Sequence, residues 1–246
     1  MNGRRESQAC VSLTRAFEQN RVFTHMRPYE LYRTWLEGTW AFLEAADNPH
    51  GFRECLDRYS YDEGVEFGRL LAVYTDAVEE MPFRDILGDL FMRLDLNAAK
   101  NGQVFTPWDV AEMMARMQFS REHFEGLVRE KGVVSVVDPA VGSGALLLAF
   151  AKVVHDEMGR WGVNRLRLYG TDIDVRCVLM CRIQLRMNGL DSFGRMGGLL
   201  AASKGSPGAA VTAEEQKQPH ISQAVILHGE EWQEEDNRVA KQPALL

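Results

Sequence analysis

The 246-residue chain carries 28 Lys and Arg against 35 Asp and Glu, a formal net charge of −7, with 46% hydrophobic and 26% charged residues. That balance is ordinary for a globular protein, and it argues against strong nonspecific DNA binding over the whole surface, which depends on Lys and Arg neutralising phosphates. No apolar run approaches a membrane span, the N-terminus lacks a signal-peptide apolar core, and the four cysteines form no metal-type pair of C-x-x-C motifs, so the reading is a cytoplasmic protein with neither membrane span nor metal site.

The length suits one sizeable core, or one core plus a smaller helical domain, and residues 1–100 read as an all-helical domain. Glu6 to Asn20 fits a short amphipathic helix. Pro28 opens a helix through Ala46, with Leu31, Trp35, Phe42 and Leu43 at helical spacing. Tyr61 to Met81 forms another through Val65, Leu70, Val73 and Ala77, and Pro82 ends it. Phe83 to Leu96 continues with Ile86, Leu87, Leu90 and Phe91 on one side. Trp35 and Trp40 are assigned to the core, since base stacking needs exposure.

Asn97 to Val104 is a polar connector into the second domain, residues 101–246. Thr106-Pro107 opens a helix to about Phe119, with Thr106 as N-cap, Pro107 at the first position and Asp109 in the first turn. A helix over Arg121–Lys131 leads through Gly132 to the strand Val133–Val137. Its near-continuous apolarity predicts burial on both faces. After the turn D-P-A-V-G-S-G a helix runs to about Arg160, followed by a strand from Leu166 and a helix from Val175 to Asn188. Cys177 and Cys181, one helical turn apart, are read as small core residues. Arg160, Arg165, Arg167, Arg176, Arg182, Arg186 and Arg195 gather here and are read as a solvated face. Residues 194–223 are rich in Gly, Ala, Ser and Pro and read as a flexible insertion. Ala224–His228 is a third strand followed by Glu230, and Glu231–Leu246 is a polar tail.

The chemistry concentrates at Val133–Leu148. Asp138 and Pro139 end the strand, and Gly142, Ser143 and Gly144 let the backbone turn tightly beside a ligand. The next helix points unpaired N–H groups and a partial positive charge at that turn. No Lys-Ser/Thr follows the glycines, which disfavours a P-loop, and the spacing is not G-x-G-x-x-G. A loop that opens with an acid suits a ligand with both an amine and a carboxylate, as at the amino-acid end of S-adenosylmethionine. A glycine-rich turn without a ligand is the alternative. Leu166–Asp174, L-R-L-Y-G-T-D-I-D, is a second strand ending in acids, where nucleotide-type folds reach ribose hydroxyls.

With G-Q-V-F-T-P at Gly102–Pro107 upstream, the chain resembles the adenine-specific DNA methyltransferases of the type I restriction–modification M-subunit kind. The resemblance runs from D-I-L-G-D-L-F at Asp85 through these three motifs to M-N-G-L at Met187–Leu190. It implies an α/β fold, a partial Rossmann-like S-adenosylmethionine-dependent methyltransferase sheet preceded by the helical domain. It also implies S-adenosyl-L-methionine as cofactor and DNA as partner. On this resemblance Phe105, Thr106 and Pro107 lie against the methionine end of the cofactor, and Asp138, Pro139, Ala140, Gly142 and Gly144 form its loop. Asp172 takes the ribose hydroxyls, Ile173 lies against the adenine, and Glu230 contacts the adenine. Val141 stands where the family usually has Cys, and Met92 where it often has Glu.

Methyltransferases of this type use an Asn-Pro-Pro-Phe/Tyr loop to accept the hydrogens of the adenine amine and to stack the extruded base. No N-P-P or D-P-P occurs in the 246 residues, so no catalytic residue is assigned. Three readings stay open. One is an adenine methyltransferase completed by a partner chain, and another an inactive truncated homologue acting as a binding or interaction module. The third is a methyltransferase for protein or RNA. A methyltransferase sheet ending after its third strand would also leave an open edge on the first, to be covered by the helical domain, a second copy or another chain.

Overall fold

The computed structural model describes residues 8–94, 96, 105–190 and 225–226. Five helices come first: α1 (Gln8–Glu18), α2 (Pro28–Leu43), α3 (Pro49–Leu56), α4 (Tyr61–Glu80) and α5 (Ile86–Arg93). Their ends follow local chemistry. Pro28 occupies the first turn of α2, where its missing N–H costs nothing. Ser60 and Glu63 close a capping box on α4, with Glu63 accepting the Ser60 N–H at 2.8 Å. The helix α3 is absent from the sequence reading. It buries only Cys55 and is started by Asn48, which accepts the Gly51 N–H at 3.0 Å, so capping rather than periodicity announces it. Phe42 and Val65, expected on buried faces, are 52% and 54% exposed.

The second half contains α6 (Trp108–Gln118), α7 (Arg121–Lys131), β1 (Val134–Asp138), α8 (Ala145–Val163), β2 (Leu166–Gly170), α9 (Val175–Met187) and the short β3 (Val225–Ile226). β1 and β2 are parallel, in register from Val134 opposite Leu166 to Asp138 opposite Gly170. With α8 as crossover they form one Rossmann-like βαβ unit, and β1 is the central strand of the order β2-β1-β3. Burial along β1 alternates: Val134, Val136 and Asp138 are buried, whereas Ser135 and Val137 are half-buried. The expected burial on both faces is therefore corrected to one fully buried face, packed with α7 and α8. The open edge expected on β1 is corrected as well. β3 pairs antiparallel there, Val136 opposite Ile226 and Val137 opposite Val225.

Two apolar clusters fill the molecule. One joins α6, α7, α8 and the sheet, and the other joins α1, α2, α4 and α5. α9 belongs to both: Cys181 and Leu185 enter the first cluster, and Cys177, Met180 and Ile183 the second. α9 therefore buries apolar residues toward two layers, while Arg176, Arg182 and Arg186 occupy the rest of its surface. Its cysteines are core residues as expected, and burial drives both thiols to raised pKa values. Among the described residues no helix is long and apolar enough to cross a membrane, and no His, Cys, Asp or Glu group could hold a metal.

Candidate cofactor site

β1 delivers Asp138 to the start of the turn, and Gly144 ends it as the N-cap of α8. The turn is stitched to the segment after β2. Thr171 donates its N–H to the Asp138 carbonyl at 3.0 Å, and Val141 donates to the Thr171 carbonyl at 2.9 Å. The Thr171 hydroxyl donates to the Pro139 carbonyl at 2.9 Å. Gly142 has φ +54°, and a Cβ there would lie 3.3 Å from the Phe105 ring. Phe105 also meets Phe91 edge-on at 5.3 Å. The structure thus brings Phe105 of the F-T-P segment against the glycine loop, with Thr106 half-buried and Pro107 exposed. Thr106 is not the cap expected of it: Pro107 is the N-cap residue of α6, with no side-chain cap hydrogen bond.

Asp138 is fully buried. Its Oδ1 accepts the Ala140 N–H at 3.0 Å, and its Oδ2 has no hydrogen-bond partner among the described residues. Burial pushes its carboxyl above the usual range, the Ala140 N–H pulls it back, and the nearby Asp172 charge pushes it further up. Asp172 stands across the turn. Its Oδ2 accepts the Gly142 N–H at 2.9 Å and its Oδ1 the Asp174 N–H at 2.8 Å. Ile173 beside it is 67% exposed, free to present an apolar face to a ring. Gly144 differs from its neighbours in role. Its φ is +99°, and a Cβ would sit 2.8 Å from Cys181 Sγ, so this glycine is required by the close approach of α9. Gly170 has a similar reason, because its Cβ would lie 2.8 Å from a Val141 methyl. Val141, buried against Gly170, thus fits the turn in place of the family's cysteine, and Met92 is exposed on α5. Glu230, Gly102, Gln103, Val104 and the insertion lie outside the described residues.

Sequence reasoning missed a buried polar set behind the loop. Asp85 caps α5, accepting the Gly88 N–H at 3.0 Å, and also accepts the Ser143 hydroxyl at 2.6 Å and the Gln184 amide at 2.8 Å. Asn188 extends the set, accepting the Phe83 N–H at 2.5 Å, where Phe83 holds a left-handed φ of 64°. One available signal was Gln184 set directly between Ile183 and Leu185, since a polar side chain buried among apolar neighbours needs partners. The arginines of α9 also depart from the expected solvated face. Arg182 stacks on Trp40 at 3.9 Å and reaches Glu44 at 3.4 Å, Arg186 donates to the Leu43 carbonyl, and Arg176 pairs with Asp174 and lies over Tyr29.

A model of the N-6 DNA Methylase family matches residues 83–197, the stretch holding the βαβ unit, the loop and the residues behind it. The methylase subunit of the type I restriction enzyme MpnII from Mycoplasma pneumoniae is 31% identical over 96 residues, 39% of this chain and 16% of its own length. The chain therefore spans about one-sixth of that relative. A crystal structure from Listeria monocytogenes, provisionally described as a class I S-adenosylmethionine-dependent methyltransferase, superposes with a TM-score of 0.41 at 14% identity. It covers 75% of this chain and 51% of that one. The chain resembles the N-6 DNA methylases across the part of the molecule that builds the loop.

Proposed function

We propose that this chain binds S-adenosyl-L-methionine at the β1–α8 loop and serves as the cofactor-binding part of an adenine-N6 DNA methyltransferase of the restriction–modification kind. The carrying observation is Asp138 Oδ2, a buried acceptor with no partner among the described residues. An unpaired carboxylate oxygen is costly to bury, and the ammonium at the amino-acid end of the cofactor is the donor that would complete it. The partial positive charge of the α8 N-terminus suits the carboxylate of the same ligand. Phe105, Thr106 and Pro107 then line the methionine end, with Pro139 and Ala140 in the loop. Asp172 takes the ribose hydroxyls through the acceptor capacity left beside its two N–H contacts, and Ile173 covers the adenine. Glu230 is assigned to the adenine on resemblance alone. The bound cofactor would supply an electrophilic methyl group. The residues described here hold and orient it, and the groups that polarise an adenine amine are assigned to another chain or segment.

Tritiated S-adenosylmethionine tests this reading. We expect the purified chain to retain label, and to transfer it to unmethylated DNA only when a chain bearing an Asn-Pro-Pro-Phe/Tyr loop is added. Retention without transfer in any combination points instead to an inactive binding module. No retention overturns the cofactor assignment.

A further inference from the structure

We infer that Asp85 is a positioning residue that, through Ser143 and Gln184, ties the glycine loop to the helical layer and sets the geometry in which the loop takes its ligand. The inference rests on the cofactor reading above. A helix cap needs one carboxylate oxygen and sits readily at a surface. Asp85 is buried, and its Oδ1 accepts both the Gly88 N–H and the Gln184 Nε2, while its Oδ2 accepts the Ser143 hydroxyl. Gln184 is fully used: its Nε2 also donates to the Ser143 carbonyl at 2.8 Å, and its Oε1 accepts the Leu87 N–H at 3.0 Å. Every group on the carboxylate is a donor, which is the arrangement an ionised acid requires. Gly88 makes the approach possible, since a Cβ there would collide with the Asp85 carboxylate and lie 2.6 Å from Ser143 Oγ.

The placement within the loop gives the set its consequence. Ser143 lies between Gly142 and Gly144, both at positive φ and both without a side chain to fix them. Its hydroxyl and carbonyl are therefore what anchor the middle of the turn. Gly142 is held from the opposite side by Asp172. The loop thus hangs between an acid after β2 and an acid at the start of α5. An apolar seam would join the layers at lower desolvation cost than a buried carboxylate. Hydrogen bonding fixes the turn's orientation, which apolar contact does not.

The test is calorimetric titration of S-adenosylhomocysteine into the full chain, with thermal melts and amide exchange at residues 142–145. Ser143→Ala and Asp85→Ala should each weaken binding about tenfold, as expected for one charge-assisted hydrogen bond. The double variant should bind no worse than Asp85→Ala, because both remove the same contact. Asp85→Asn should weaken binding less than Asp85→Ala, since its carbonyl keeps Gly88 and Gln184, but it loses the acceptor for the Ser143 hydroxyl. Unchanged affinity in a folded Ser143→Ala protein with a lowered melting temperature would make the set merely structural and overturn the inference. Additive losses in the double variant would overturn it too. If Asp85→Ala does not fold, Ser143→Ala decides alone. If the wild type binds nothing, the cofactor reading fails and exchange decides the tether. Faster exchange at 142–145 in Ser143→Ala then supports it, and unchanged exchange overturns it.

Discussion

At the scale of single residues, the loop shows a cost in stability placed where a ligand would relieve it. Asp138 accepts one N–H and leaves its other oxygen buried without a partner among the described residues. Asp138→Asn keeps the Ala140 contact and removes the buried charge, so the free protein should melt at the same or a higher temperature. The pH dependence follows from the raised carboxyl pKa. A folded-state pKa above the unfolded one stabilises the fold at low pH, and that contribution is lost as pH rises through the folded value. The melting temperature of Asp138→Asn should therefore gain on the wild type as pH rises through that range. Ligand affinity should run the other way in the wild type, falling on acidification while the acid is still above the ordinary carboxylate range. Gly144 has a different job, which denaturation can isolate. Gly144→Ala forces a left-handed alanine against Cys181, which should cost about 2–4 kcal/mol in urea unfolding. Adding Cys181→Ala should recover part of that loss, and no recovery would contradict the packing explanation.

At the scale of elements, α9 is the wall that both apolar clusters share, and its arginines fasten it to α2. Arg182→Ala removes the stack on Trp40 and the contact with Glu44, and should destabilise by about 1 kcal/mol. Cofactor affinity should not change, because neither partner touches the loop; a loss of affinity without a loss of stability would contradict this division of labour. The element scale also shows what sequence could reveal. α7 coincides with the residues read from its pattern, from the Ser120 cap to Gly132 at φ +79°, because both ends carry strong local signals. β1 was legible from its β-branched run ending in Asp138, and β2 from a short apolar stretch, Leu166, Leu168 and Tyr169, set before Asp172 and Asp174. The partner of a strand face was not, since Val137 looks as apolar as Val136 and only packing separates them. The three arginines of α9 differ from the solvated-face reading for a related reason. Their spacing fits a solvated face equally well until α2 supplies Trp40, Glu44 and the Leu43 carbonyl. The Asp85–Ser143–Gln184 set joins residues 58 and 99 positions apart, a pairing no local pattern encodes.

At the scale of the whole molecule, a formal charge of −7 sets the terms for any work on DNA. Few phosphates can be neutralised by such a surface, and affinity built on counterion release should be weak. The chain alone should fail to retard a short duplex in a mobility assay at physiological salt, with retardation appearing when a basic partner is added. Tight binding by the chain alone would contradict this. The βαβ unit, the glycine loop and the upstream F-T-P segment could all be read from sequence, and the structure brings them to one place around Gly142 and Phe105. Whether they hold a cofactor is the central claim, and calorimetry with S-adenosylhomocysteine tests it most directly. The wild-type chain should bind one equivalent, and folded Asp138→Asn should bind at least about tenfold more weakly, because it loses a charge-assisted partner for the ligand's ammonium. No binding by the wild type, or equal affinity in the folded variant, would contradict it.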